Sequence, residues 1–160
     1  MIDSLLNSFR LPKKEAMFHL NRKGITHTIG YLFLLLAILF LPDMIATIIR
    51  LDSDLTEVSR GLYLAQVFVF YPLLIIFLII VGVSIFAGAA LVMKNLLRRK
   101  LAYQQLWKMT AYASTIPLIL SVILKNLFVP NSISAILFFG IFGFLMYKMI
   151  TIYPKAPTPR

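Results

Sequence analysis

VFVFYPLLIIFLIIVGVSIFAGAALVM occupies residues 67–93, and Lys94, Arg98, Arg99 and Lys100 follow almost at once. The stretch holds no charged residue, and at ~1.5 Å per residue a helix of this length exceeds the ~30 Å hydrocarbon core of a bilayer. The basic cluster behind it is what the positive-inside rule places at a cytoplasmic boundary. One segment therefore predicts the solvent, the span and its direction.

The rest of the composition agrees. The 160 residues are 60% hydrophobic and only 14% charged, with a mean hydropathy of +0.88, whereas soluble domains carry about 25% charged and 45–50% apolar residues. The net charge of +10 sits beside apolar spans, so its expected partner is anionic phospholipid and not nucleic acid. There is no cysteine, which excludes disulfides, thiolate metal sites and cysteine nucleophiles. The first twenty residues are broken by Asp3, Arg10, Pro12, Lys13, Lys14 and Glu15. They hold no run of signal-peptide type, and the first span is expected to act as an uncleaved insertion signal.

Read in order, residues 1–23 form a cytoplasmic amphipathic segment. Ile2, Leu5, Leu6 and Phe9 recur at helical spacing, and Pro12 suits the first turn of a second short helix carrying Ala16, Met17, Phe18 and Leu20. Bordered by Lys13, Lys14, Arg22 and Lys23, this segment is expected to lie in the interface with its apolar face in lipid, or against a partner protein. Residues 24–153 form a transmembrane domain with spans at about 25–41, 67–93, 106–124 and 133–150. Pro42 and Asp43 close the first span, and Met44, Ile45, Ile48 and Ile49 suggest a short outer interfacial helix. Pro72 is expected to kink the second span or to open it. Asn131 or Ser132 is expected to cap the fourth. Residues 154–160 are read as a disordered cytoplasmic tail.

Counting charges orients the chain. With four spans, 13 of the 16 basic residues fall on one side, leaving only Arg50, Arg60 and Lys125 on the other with four of the six acids. The expected architecture is an all-α integral membrane four-helix bundle, multi-pass in the bacterial cytoplasmic membrane, with both termini cytoplasmic. Lys13, Lys14, Arg22, Lys23, Lys94, Arg98, Arg99 and Lys100 are the residues expected to set topology and meet anionic lipid.

Small residues predict the packing surfaces. Gly82, Ser84 and Gly88 on the second span, and Gly140 and Gly143 on the fourth, are expected to admit close helix contact, within the chain or with a partner. Thr110, Ser114, Pro117 and Ser121 form one polar stripe on the third span, in which Pro117 frees the carbonyl of Ala113. The stripe is expected to face the bundle interior, or to line a substrate path.

No chemistry of a catalytic kind emerges. None of the four spans has an ionisable residue at its centre, where one would mark a proton relay or a coupled carrier. Lys108 and Lys148 lie near span ends and are expected to snorkel. Glu15 and His19 share a helical face without further ligands, and His27 stands at a span entrance. The outer Asp52, Asp54 and Glu57 lack the form of a calcium loop. No catalytic residue, cofactor or metal site is expected, and the chain is read as non-enzymatic.

Two stretches carry a resemblance. SFRLPKKEAMFHLNRKGITHTIGYLFLLLAILFLP (8–42) resembles the opening of a family of uncharacterised Gram-positive membrane proteins, and LWKMTAYASTIPLIL (106–120) is similar to its later transmembrane signature. Some members are labelled maltodextrin-utilisation proteins, and the family is distantly similar to Yip1-type membrane proteins. The family's outer segment between the first two spans is usually longer, and it supplies no catalytic residues. The function expected is that of an accessory or assembly subunit of a membrane complex, linked to sugar uptake or to an envelope system, with another membrane protein or a second copy as partner. The alternative is a small oligomeric transporter or pore for a neutral or lipidic substrate.

Overall fold

The computed structural model describes the backbone of residues 1–50, 57–127 and 129–155. Among them it is all helix and short connection: α1 (Ile2–Phe9), α2 (Lys14–Arg22), α3 (Ile25–Arg50), α4 (Glu57–Leu96), α5 (Tyr103–Ala113), α6 (Thr115–Asn126) and α7 (Asn131–Ile152). The predicted acidic connection at Asp52 and Asp54, and the tail beyond Lys155, lie outside the described residues. Four segments are long and apolar enough to cross a membrane: Ile25–Ala46, Val69–Leu96, the α5–α6 pair over Tyr103–Asn126, and Asn131–Ile152.

Pro42 and Pro12 act differently from expectation. Pro42 does not close the first span, because α3 continues through it to Arg50 and absorbs Met44 and Ile45, so no separate outer helix forms there. A proline removes one backbone hydrogen bond, and a long helix tolerates that loss. Pro72 likewise lies inside α4, a helix of 40 residues and so ~60 Å long, about twice the hydrocarbon thickness. Pro12 precedes α2 instead of opening it, leaving Lys13 as N-cap. Pro130 caps α7 without a side-chain bond, displacing the predicted Asn131 or Ser132.

The third span is where proline does break a helix. Ser114 ends α5 and begins α6, with φ −71° and ψ −13°. Pro117 then falls in the first turn of α6, where a missing N–H leaves no helical bond unmade.

At the centre of the bundle stands α5, in contact with every other described helix. Leu106, Trp107, Met109, Thr110, Ala111, Tyr112 and Ala113 are all buried. The α5–α6 span is the least hydropathic of the four and the most enclosed, with 61% of its 18-residue apolar stretch buried against 24–28% for the others. Lipid-facing positions must be apolar, whereas an enclosed helix can carry hydroxyls that its neighbours satisfy. Helix association in lipid rests on van der Waals contact and hydrogen bonds, and α5 supplies both. The fully buried Ala111 and Ala113 let backbones approach, and the Trp107 indole Nε1 donates to Ser84 Oγ at 3.2 Å.

The short N-terminal helices are built into this bundle. Ala16, Met17 and Leu20 of α2 are buried, and Met17 and Leu20 line a small gap with Met109, Tyr112 and Met149. The apolar face of α2 thus meets its own chain and not lipid. In α1 the buried residues are Ser4 and Ser8, while Ile2, Leu6 and Phe9 are exposed.

One end of the bundle, the basic end, is tied by main-chain contacts. Lys100 N–H donates to the Pro154 carbonyl at 3.1 Å, and Arg99 Nη1 donates to the Tyr153 carbonyl at 2.5 Å. Asn21 Nδ2 donates to Tyr153 Oη at 2.8 Å, and the rings of Phe18 and Tyr153 meet at 5.6 Å. Helix α4 stops in a Schellman turn, with Arg99 N–H bonded to Lys94 O and Arg98 N–H to Asn95 O. Arg98 there is left-handed at φ 49°, a conformation that costs a non-glycine residue roughly 1 kcal/mol. Arg98→Gly is therefore expected to raise stability by up to about 1 kcal/mol, measured as a higher midpoint of thermal unfolding in detergent.

Candidate functional site

Three pairs of polar residues, each at helical spacing, converge near the basic end. Ser4 and Ser8 come from α1, Thr28 and Tyr31 from the first turns of α3, and Tyr112 and Thr115 from either side of the α5–α6 break. Ser4, Ser8, Thr28 and Thr115 are fully buried, and Tyr31 and Tyr112 nearly so. The hydroxyls form two short chains. Ser8 Oγ donates to Ser4 O at 2.7 Å, Tyr31 Oη donates to Ser8 Oγ at 3.4 Å, and Thr115 Oγ1 meets Tyr31 Oη at 2.9 Å. Thr28 Oγ1 donates to Gly24 O at 3.1 Å, so its other contact, with Tyr112 Oη at 3.1 Å, takes the tyrosine as donor. The two tyrosine rings lie 5.2 Å apart.

Two ammonium groups close the lower side. Lys23 Nζ donates to Ser4 Oγ at 3.0 Å. Lys108 Nζ donates to the carbonyls of Asn21 and, at 3.0 Å, of Lys23. Those carbonyls belong to the end of α2, where helical partners have run out and the dipole favours a cation. Lys108, expected to snorkel, is instead the C-terminal staple of α2. The expected anionic-lipid set is divided for the same reason. Lys23 and Arg99 are half-buried and turned onto the protein, whereas Lys13, Lys14, Arg22, Arg98 and Lys100 are exposed.

The serine hydroxyls of the predicted stripe donate within their own span. Ser114 Oγ donates to Ala111 O at 2.9 Å and Ser121 Oγ to Pro117 O at 2.8 Å, so both hydroxyls are consumed by their own helices. Thr110 is buried with Oγ1 unpartnered. An unpaired buried hydroxyl costs about 1–3 kcal/mol, so the near-isosteric Thr110→Val is expected to leave the fold unchanged or to stabilise it by about 1 kcal/mol. Thermal unfolding of the two proteins in one detergent measures this.

The small-residue faces are displaced. A Cβ built at Gly82, Gly88, Gly140 or Gly143 would meet no heavy atom within 4 Å, so these glycines mediate no close helix approach within the chain. The buried line of α4 is Ile75, Ile79, Val83, Ala87 and Ala90, and Ala87 takes the role expected of Gly88. Between α4 and α7 the contact is aromatic, with Phe86 5.0 Å from Phe142 and 5.9 Å from Phe138. Gly82 borders a lateral apolar cleft of about 220 Å³, with Leu36, Phe40, Phe86, Ser114 and Phe138 among its walls.

Among the described residues, no three His, Asp or Glu side chains gather as metal ligands. The hydroxyl cluster supplies donors and acceptors that hold α1, the start of α3 and the α5–α6 break together.

A family model for proteins of unknown function, DUF1189, matches residues 59–152, more than half of the chain. The chain belongs to this family. No curated protein and no solved structure matches it. The matched segment runs from the first turn of α4 to the end of α7, so it contains Tyr112 and Thr115, while their partners Ser4, Ser8, Thr28 and Tyr31 precede it. Of the two stretches behind the resemblance, residues 106–120 lie within the match and residues 8–42 before it.

The cluster was detectable as three polar pairs spaced three or four apart, each beside an apolar run. The serines of α1 alternate with apolar residues expected to face lipid or a partner, so their side of the helix reads as a plain polar face.

Proposed function

We propose that this DUF1189 protein is a non-enzymatic accessory or assembly subunit of a bacterial cytoplasmic-membrane complex, with both termini and the basic end in the cytoplasm. The observation that carries this reading is the open space beside four glycines of α4 and α7. Gly82, Gly88, Gly140 and Gly143 have no intramolecular neighbour at close range, which leaves them open to a helix of another membrane protein or of a second copy. The internal hydroxyls support the same conclusion, since those of Ser114 and Ser121 are occupied by backbone carbonyls. The excess of Lys and Arg at one end supports the orientation and contact there with anionic phospholipid. Resemblance to proteins labelled for maltodextrin utilisation supports sugar uptake as the setting, with an envelope system as the other.

Purification from native membranes in mild detergent tests this. A reproducible companion is expected with the parent and is lost with Gly82→Leu or Gly88→Leu, while membrane insertion is retained. Repeated recovery of a lone monomer overturns the reading. Reporter fusions at either terminus are expected to report cytoplasm.

The lateral cleft at Gly82 and Ser114 favours a second reading, an oligomeric transporter or pore for a neutral or lipidic substrate. It predicts flux in proteoliposomes that falls on Ser114→Ala, and absence of flux from the parent removes it.

A further inference from the structure

Helices α1 and α2 form a hairpin, and a cleft of about 400 Å³ opens between them, lined by Asn7, Arg10, Lys13, Glu15, Ala16 and His19. Its size is that of a small-ligand site. We infer that this cleft binds the monoanionic phosphodiester headgroup of a membrane lipid. Three observations carry the assignment.

The first is charge. Arg10 and Lys13 face the cleft against the single carboxylate of Glu15, which leaves a fixed excess of one positive charge, the complement of one phosphodiester. A guanidinium presents a fork of N–H donors that matches two phosphate oxygens. The second is a hydrogen-bonding pair in the cleft wall. Asn7 Nδ2 lies 3.3 Å from His19 Nδ1, and the Asn7 amide also donates to Asp3 O at 2.8 Å. This fixes the wall next to which a headgroup would sit. The third is the apolar flank. Leu6 and Phe9 on α1 and Phe18 on α2, each adjacent in sequence to a cleft residue, are exposed, and the Lys14 ammonium stands 6.0 Å from the Phe18 ring centre. A polar cleft beside exposed leucine and phenylalanine suits a ligand with a charged head and acyl chains. Free phosphate has no use for the second half. The cleft also lies at the basic end, since α2 is bonded to Tyr153 through Asn21.

The test uses the full chain in detergent, with phosphatidylglycerol and phosphatidylcholine offered in equal amount and retained lipid counted by native mass spectrometry. The parent is expected to retain phosphatidylglycerol in preference. Arg10→Gln should lower its affinity about fivefold, and Arg10→Gln with Lys13→Gln on the order of 25-fold, from the usual contribution of a basic residue near an anionic headgroup. Glu15→Gln should raise affinity several-fold, a gain that misfolding cannot mimic. Lys148→Gln with Lys155→Gln, the same charge change at exposed positions outside the cleft, should leave retention unchanged. Equal loss in the two double variants would assign retention to overall charge and overturn the proposal, as would an unchanged affinity in Glu15→Gln. Displacement of the lipid by millimolar inorganic phosphate would make the cleft a free oxyanion site and overturn the lipid assignment.

Discussion

Lys108→Met is expected to release α2 from the bundle and to cost about 1.5–3 kcal/mol, the range for hydrogen bonds to a charged group. The Lys108 ammonium reaches the carbonyls of Asn21 and Lys23, two groups that α2 cannot satisfy itself. Methionine keeps much of the aliphatic stem, so the loss isolates the ammonium and not the packing of its methylenes. Two measurements check the result. The midpoint of thermal unfolding in detergent should fall. The chain has no cysteine, so a single cysteine placed at Leu20, which is 2% exposed, reports directly. It should resist maleimide in the parent background and react in Lys108→Met. Lys148→Met is the control, because that ammonium is exposed over the Phe144 ring at 5.8 Å and should change stability by less than about 0.5 kcal/mol. Equal effects of the two substitutions would show that Lys108 does no more than a surface charge.

Ala87→Leu and Gly88→Leu, neighbours on α4, are expected to have opposite effects. Ala87 is fully buried in the core of the bundle, three residues from the Ser84 hydroxyl that Trp107 grips. Leucine adds three carbons where no space exists, at a cost of typically 1–3 kcal/mol. At Gly88 nothing stands within 4 Å of an added Cβ, and exchanging a mid-helix glycine for leucine gains up to about 1 kcal/mol in helix propensity. In the isolated protein Ala87→Leu should therefore lower the unfolding midpoint and Gly88→Leu should hold or raise it. A midpoint that falls on Gly88→Leu would place that glycine inside the bundle. Under the proposed function, Gly88→Leu still loses its companion. Stability and assembly thus separate at adjacent positions.

This contrast shows how far residue type alone reaches. Gly82, Ser84 and Gly88 announce a surface of close approach, but a rotation of one residue, about 100° around α4, decides whether Gly88 or Ala87 faces α5. Small residues are equally suited to both positions, so composition could not choose. The same holds for α1. Ile2, Leu6 and Phe9 read as a face toward lipid or a partner, and the pattern does not say what the polar side between them meets. Ser4 and Ser8 do go inward, because Tyr31 and Lys23 bond their hydroxyls. Hydropathy reports transfer from water and is silent on that choice.

The sequence by itself determined the all-α class, the four membrane-length apolar helices and the concentration of basic residues at alternate ends of the spans. Each of these is a sum along the chain, and sums need no coordinates. Only the tertiary structure decided that α5, the least hydropathic span, is the centre, and that Lys108 caps α2 instead of reaching for headgroups. It also decided that the stripe of Thr110, Ser114 and Ser121 is closed by its own carbonyls or left unpartnered. These depend on which donor finds which acceptor across helices 80 and more residues apart, as Tyr31 and Thr115 do. The stretch at 67–93 announced the membrane. The span after it, with its hydroxyls, aromatics and Lys108, organises the bundle, because polar groups in lipid must find their partners within the protein.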